Sequence, residues 1–263
     1  MKVNFGEVAK NYAKYRNDLP KELIEGLKMR GVDFKKKRVL DLGSGSGILS
    51  RIIYKEGAEV VGVEPSVELI GEARKMDRKE NIHINYLHEH SESMSLGNSS
   101  FEYVTVMRAW HWFDREKTLC EVKRILKDDG TLLVMDSGFM SGRKVVADTL
   151  SIVKKYLPGG ELKRAGSKAV AKQLINSFPA EWFREWSEHG FELWDTYGFE
   201  YMVPFTNEEW CGRVGSLSWL SLFNEEKRAA ILNEIFNHLI KEYGDIQHHI
   251  EHSCHVAILK QKM

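Results

Sequence analysis

Residues 39–47 read "VLDLGSGSG", an apolar β-prone run that ends in glycines at positions 43, 45 and 47. A glycine-rich turn directly after a strand lets a ligand lie against bare backbone, and the spacing decides which ligand. A dinucleotide fingerprint needs G-x-G-x-x-G, yet Ile48 stands where the third glycine would fall. A phosphate loop of the G-x-x-x-x-G-K-[ST] type is also absent. What remains is Asp41 just ahead of three side-chain-free positions. An acid there repels phosphate and suits an amine-bearing ligand, while amides at the start of the next helix can hold a carboxylate.

Working outward, Glu64 ends the run "EVVGVE" and is followed by Pro65 and Ser66. A carboxylate at the end of a second strand is placed to accept from both hydroxyls of a ribose. The chain from 38 to about 136 alternates β-rich runs with helical periods, which predicts a parallel sheet with helices on both faces. Strands are expected at 38–42, 59–63, 82–87, 101–107 and 131–135, and helices at 48–56, 67–77 and 115–126. Ser66 and Asp114 read as N-caps, and "KDDG" at 127–130 as the turn that ends the third helix. Ligands of such a sheet sit at the carboxyl ends of its strands.

The second half differs. Residues 139–189 read as helical with a break at "YLPGG", and Phe191 to Val203 reads as a long strand. Thr206 to Glu209 is a capping box, Asn224 caps the next helix, and 255–260 is a last strand. Ile231, Leu232, Ile235, Phe236, Leu239 and Ile240 form that helix's apolar stripe.

Lys plus Arg and Asp plus Glu both number 38 among 263 residues, so no net field draws the chain toward nucleic acid or an anionic membrane. No apolar run approaches the roughly 20 residues that span a bilayer, and the first residues lack the apolar core of a signal peptide. The expectation is a cytoplasmic protein, monomeric or homodimeric. Cys120, Cys211 and Cys254 have no CxxC pairing and are expected to be buried or half-buried. "QHHIEHSCH" at 247–255 is rich in metal-ligating side chains, but on a strand His248 and His252 face away from His249 and His255, so no metal is expected.

"VLDLGSGSG", "VVGVEPS", "SESMSLGNSSFEYVTVMRAWHWFD" and "EVKRILKDDGTLLV" resemble the successive motifs of the class I S-adenosylmethionine-dependent methyltransferases. "AWHWFD" and the opening "FGEVAKNYAKYRNDLP" are similar to the subgroup that contains trans-aconitate methyltransferase. The likeness in motifs covers residues 4–136 and is architectural beyond. It implies an α/β, doubly wound, seven-stranded and mostly parallel Rossmann-like sheet with a helical lid inserted in the C-terminal half. Residues 1–136 would form the cofactor-binding core with its N-terminal helix, and 137–263 the lid and the last two strands of the same sheet, in a single domain overall.

Carried over residue by residue, the resemblance implies that Gly43, Ser44, Gly45 and Gly47 admit the methionine part of S-adenosylmethionine. Asp41 would lie near its ammonium group, and Glu64, with Pro65 and Ser66 beside it, would hold the ribose. Ser91 and Glu92 would border the adenine, Met107 and Arg108 would lie beside the methionine and sulfonium, and Tyr12, Tyr15 and Arg16 would close over the cofactor. Serine replaces the family's alanine at 91, and arginine replaces the commoner glutamine at 108.

Methyl transfer from a sulfonium is an in-line displacement and needs no covalent enzyme intermediate. For a carboxylate acceptor a cationic clamp suffices, with Arg108, Arg143 and Arg213 as candidates. A hydroxyl or amine acceptor needs a base, for which His111 is the choice, with Trp112 lining the acceptor site. The aromatic-rich stretch 139–223 points to a small acceptor beneath a lid, giving S-adenosylhomocysteine as the second product. Rival readings are a non-catalytic adenosine-binding module and a nucleic-acid or protein methyltransferase. The residues after the fourth strand, "RAWHW", are not the Asn/Asp-Pro-Pro-aromatic motif of base methylation.

Overall fold

The apolar run ahead of the glycines forms β1, Arg38–Leu42, buried from Val39 onward as a strand inside a parallel sheet must be. The structure, a computed structural model, describes residues 13–16 and 18–262, so Tyr12 lies outside the described residues. The first part continues through α1 (Glu22–Lys28), α2 (Ile48–Lys55), β2 (Glu59–Val63), α3 (Val67–Glu80), β3 (Asn85–Leu87), β4 (Phe101–Met107) and α4 (Arg115–Ile125). Then come β5 (Leu126–Phe139), α5 (Lys144–Tyr156), β6 (Leu174–Ile175), β7 (Phe178–Pro179), α6 (Ala180–Glu188) and β8 (Phe191–Phe205). The chain closes with α7 (Asn207–Gly215), α8 (Glu225–Tyr243) and β9 (His248–Gln261).

Seven strands form one sheet in the order β3-β2-β1-β4-β5-β9-β8, and β6 pairs with β7 in a separate hairpin. The pairs β1–β2, β1–β4, β2–β3 and β4–β5 are parallel, which bears out the α/β, doubly wound reading. Between β1 and β4 the order of strands reverses direction, the switch point beyond whose carboxyl ends such sheets bind their ligands.

The caps behave as their residue types require. Ser66 accepts from Leu69 N at 3.2 Å, Asp114 from Lys117 N, Asn224 from Lys227 N at 2.9 Å, and Thr206 and Glu209 close a complete capping box.

Several boundaries need correction. Residues 82–84 are not strand, because Asn81, left-handed at φ +53°, ends α3 and sends Ile82 N back to Asp77 O. "KDDG" lies within β5, whose register to β4 shifts between Phe101 and Tyr103, so the extra residues are absorbed as a bulge. The region 139–189, read as helical, contains the β6–β7 hairpin, and the last strand begins at His248 rather than 255. On that strand His248 and His252 are buried and His249 is exposed, the alternation the sequence implied. Cys211 and Cys254 are buried, but Cys120 is exposed on α4, and Ile240 stands 39 % exposed outside the stripe of α8.

The described residues divide into two compact units, one of 13–16, 18, 138–164 and 200–253, the other of 19–137, 165–199 and 254–262. In the first, Ile231, Ile235 and Leu239 of α8 pack with Trp210, Val214, Phe205 and Ile250. The second holds the larger core, in which Leu40, Val104, Val106, Leu132 and Val134 of the sheet meet Leu119, Val122, Trp182 and Trp186 of α4 and α6. Full burial of each such side chain stabilises by about 1.5–3 kcal/mol. Among the described residues no helix is long and apolar enough to cross a membrane, and no group of His, Cys, Asp or Glu is arranged to hold a metal.

Candidate functional site

The second unit holds the glycine turn. Gly43, Gly45 and Gly47 take φ of +68°, +56° and +74°, a conformation that L side chains seldom adopt. Gly43 N and Ser44 N both donate to Val63 O, at 2.8 and 3.1 Å, so the turn is tied to the end of β2. Gly47 caps α2, and a Cβ there would run into the buried Tyr86 ring, with Cζ at 3.1 Å. The packing glycine that a dinucleotide fold places one residue later is therefore supplied by Gly47.

Glu64 joins turn and helix. Its Oε2 accepts from Gly45 N and its Oε1 from Ser66 N, both at 2.9 Å, and the residue is 7 % exposed. Burial raises its pKa, while those two amides oppose the rise. Each oxygen keeps a second lone pair, so the carboxylate is pre-positioned to accept a ligand's hydroxyls.

Asp41 sits beneath the turn, 1 % exposed, accepting from Ser50 Oγ at 2.5 Å and Thr105 Oγ1 at 3.1 Å. Burial pushes its pKa up to about 6 against those hydroxyl bonds. An acid whose folded pKa exceeds its unfolded value makes the fold most stable below about the unfolded pKa near 4, and that stability is lost as pH rises to 6. The gap corresponds to something on the order of 3 kcal/mol. The stability of Asp41→Asn relative to wild type is thus expected to climb by up to that amount between pH 4 and 6.5 in urea titrations. A difference that stays constant with pH would refute this ionisation.

Two buried hydroxyls on the turn bear on what fits there. Ser44 Oγ and Ser46 Oγ, on residues 9 % and 2 % exposed, have no hydrogen-bond partner among the described residues. Such groups ask for a polar ligand. Together with the bare glycines and Glu64 they fit a nucleoside that carries an amino-acid part. Arg51 supports the loop from behind, donating from Nη1 to Ser46 O at 2.9 Å and pairing with buried Asp77 at 3.1 Å. This brace was not visible in the sequence, where Arg51 and Asp77 are ordinary charged helix residues.

The remaining candidates in this unit lie on β4 and after it. Met107 pairs with Met135 across the sheet and is half-buried. Arg108 follows at φ +58°, rare outside glycine, and donates from Nε to Ser137 Oγ at 2.8 Å. Ser91 shares a hydrogen bond of 3.0 Å with Thr118, and Glu92 accepts from Asp114 N at 2.9 Å at the start of α4. Pro65 O accepts from His88 Nε2 at 3.0 Å. His111 and Trp112 are half-buried with ring centroids 4.9 Å apart, whereas Trp110, 1 % exposed, belongs to the core with Phe113 and Trp186.

The first unit holds the others. Tyr15 lies against Gly212, where a Cβ would strike its ring, and Arg16 donates to Ser216 Oγ and O at 3.0 and 3.1 Å. Arg143 is exposed at the start of α5. Arg213, expected as an open clamp, is instead a buried ion pair with Asp18 at 3.0 Å, each side chain 1 % exposed.

Residues 40–134 match the family described as methyltransferase domain. This segment is a methyltransferase domain. Its sheet, its glycine turn and Glu64 lie within or beside the matched span, and the methyl donor of that class is S-adenosylmethionine. The chain is 31 % identical over 136 residues to a candidate methyltransferase of Dictyostelium discoideum, covering 52 % of this chain and 49 % of that protein. It thus matches about half the length of that relative. It is 28 % identical over 215 residues to the ubiquinone biosynthesis O-methyltransferase of Coxiella burnetii, covering 79 % of this chain and 87 % of that one. The solved structure of a candidate type II methyltransferase from Anaeromyxobacter dehalogenans superposes with a TM-score of 0.63 at 19 % identity, over 92 % of this chain and 96 % of that one. At that identity the methyltransferase domain shares a fold with it and nothing more is implied.

Proposed function

We propose that the protein transfers a methyl group from S-adenosylmethionine to a small-molecule acceptor. The observation that carries this reading is Glu64, locked by Gly45 N and Ser66 N beside a turn whose Ser44 and Ser46 hydroxyls lack partners. Glu64 would hold the ribose, Ser44, Gly45 and Gly47 the amino-acid part, Ser91 and Glu92 the adenine side, and Met107 and Arg108 the region of the sulfonium. Bound there, S-adenosylmethionine supplies an electrophilic methyl group.

The chain's own part is orientation and proton handling. Arg108, fixed through Ser137, can orient an acceptor carrying a negative or carbonyl oxygen. His111, half-buried beside Trp112, would take a proton from a hydroxyl or amine acceptor. The O-methyltransferase name of the Coxiella relative supports a small hydroxylated acceptor. "AWHWFD" supports membership of the trans-aconitate-type subgroup instead, and a mass-spectrometric screen for methylated products across small acids, phenols and amines decides between them.

Glu64→Ala is expected to weaken S-adenosylhomocysteine binding by about 1–3 kcal/mol through the lost charge-assisted hydrogen bonds. Isothermal titration calorimetry measures it, and unchanged affinity removes Glu64 from the site. Micromolar binding of NADH with none of S-adenosylhomocysteine would refute the transferase reading itself.

A further inference from the structure

Away from the glycine turn, the β6–β7 hairpin turns through Asn176 and Ser177, whose φ of +46° and +63° are left-handed. Its polar side chains meet β9 at His255. Asn176 Nδ2 donates to Thr196 Oγ1 at 2.7 Å and to the carbonyls of Tyr197 and Val256 at 2.8 and 3.4 Å. Carbonyl oxygens only accept, so the amide's orientation is fixed and its Oδ1 faces His255 Nδ1 at 2.8 Å. That oxygen also only accepts, so the imidazole proton resides on Nδ1 and Nε2 keeps its lone pair. Ser177 Oγ lies 3.0 Å from Nε2 and is therefore the donor to it. Gly198 makes the room, since a Cβ there would lie 2.9 Å from both Asn176 Oδ1 and His255 Nδ1.

A nucleophile hydrogen-bonded to a base, which a third group orients, is the arrangement of serine hydrolases, and it is recognised by geometry rather than by order in the chain. Here the order is Asn176, Ser177, His255, all within one compact unit. Ser177 and His255 are both half-buried. Desolvation, with the Lys168 charge nearby, holds the pKa of His255 below the ordinary histidine value, which keeps the imidazole in its basic form at neutral pH. Ser177 also occupies a backbone conformation sparsely populated by non-glycine residues, which are enriched at functional positions.

We propose that Ser177, His255 and Asn176 form a second, hydrolytic site that acts on small carboxylic esters, with Ser177 as nucleophile. Ser177 Oγ bonds to the carbonyl carbon while its proton passes to His255 Nε2. The bond to the leaving alkoxide then breaks, and Nε2 returns the proton to give the alcohol. Water attacks the acyl-serine, losing a proton to Nε2, and releases the carboxylic acid as Ser177 recovers its hydroxyl. One ester and one water thus become one acid and one alcohol. Asn176 holds the tautomer throughout, by accepting from Nδ1.

This site is independent of methyl transfer, and so is its test. The full chain is incubated with a fluorophosphonate probe, and the adduct is located by peptide mapping of the wild-type protein, a readout that depends on no variant. A single adduct on Ser177, lost in His255→Gln and retained in Asn176→Asp, is the expected result. Hydrolysis of p-nitrophenyl acetate should fall more than about 10-fold in Ser177→Ala. No adduct at Ser177, or hydrolysis unchanged by Ser177→Ala, overturns the proposal and leaves the three residues as a lock that ties the hairpin to the sheet.

Discussion

Arg213→Met is expected to destabilise the protein by about 3–5 kcal/mol in urea unfolding, the cost of leaving a buried charge without its partner. The guanidinium pairs with Asp18 at 3.0 Å with both side chains 1 % exposed, and it stacks over the Phe139 ring at 5.5 Å. His252 Nε2, itself fully buried, lies 3.5 Å from the same carboxylate. Methionine refills most of the arginine's volume, so the loss reads the missing guanidinium beside the Asp18 carboxylate rather than a cavity. Adding Asp18→Leu to Arg213→Met should recover most of the loss, because a buried ion pair replaced by apolar groups of similar volume is close to neutral. A single-variant loss below about 1 kcal/mol, the range of an exposed pair, would show that the pair is not desolvated in solution.

Gly47→Ala is expected to cost about 2–5 kcal/mol and to abolish S-adenosylhomocysteine binding with it. Two penalties add. The residue sits at φ +74°, where a Cβ costs roughly 1–2 kcal/mol, and that Cβ would run into Tyr86, whose crowding adds about 1–3 kcal/mol. Tyr86 cannot swing aside, since it is 3 % exposed and its ring also fills the space over Gly62, where a Cβ would lie 2.5 Å from Cδ1. Tyr86→Leu in the Gly47→Ala background should return the steric part and not the backbone part. Full recovery would mean that the left-handed turn is not maintained.

What was legible in the sequence was local. β1, β2 and β4 fall at their expected bounds because apolar runs and flanking turns specify them without reference to the rest of the chain. The four N-caps were equally readable, since the capping side chain and its amide lie within three residues. What escaped depends on pairing at long range. The extension of β5 through "KDDG" requires knowing that β4 tolerates a register shift opposite it. Glu64 was placed at the right strand end, but its bond to Gly45 N spans 19 residues and appears only when the turn folds back. Arg213 had the right chemistry for a clamp, and only the fold shows that Asp18, 195 residues away, has claimed it. The Asn176–Ser177–His255 arrangement had no sequence signal at all, because a two-residue turn and a strand 78 residues later must meet first.

β9 follows β8 in sequence, yet in the sheet it lies between β5 and β8. During synthesis the hydrogen-bonding edge of β5 therefore stays open until residues 248–261 have left the ribosome, and β8 waits without the strand that joins it to the sheet. An open edge of this kind is a template for pairing with other chains. Nascent chains stalled before residue 248 should accordingly depend on chaperones and form intermolecular β-structure, whereas chains that include residues 248–261 close the sheet from within.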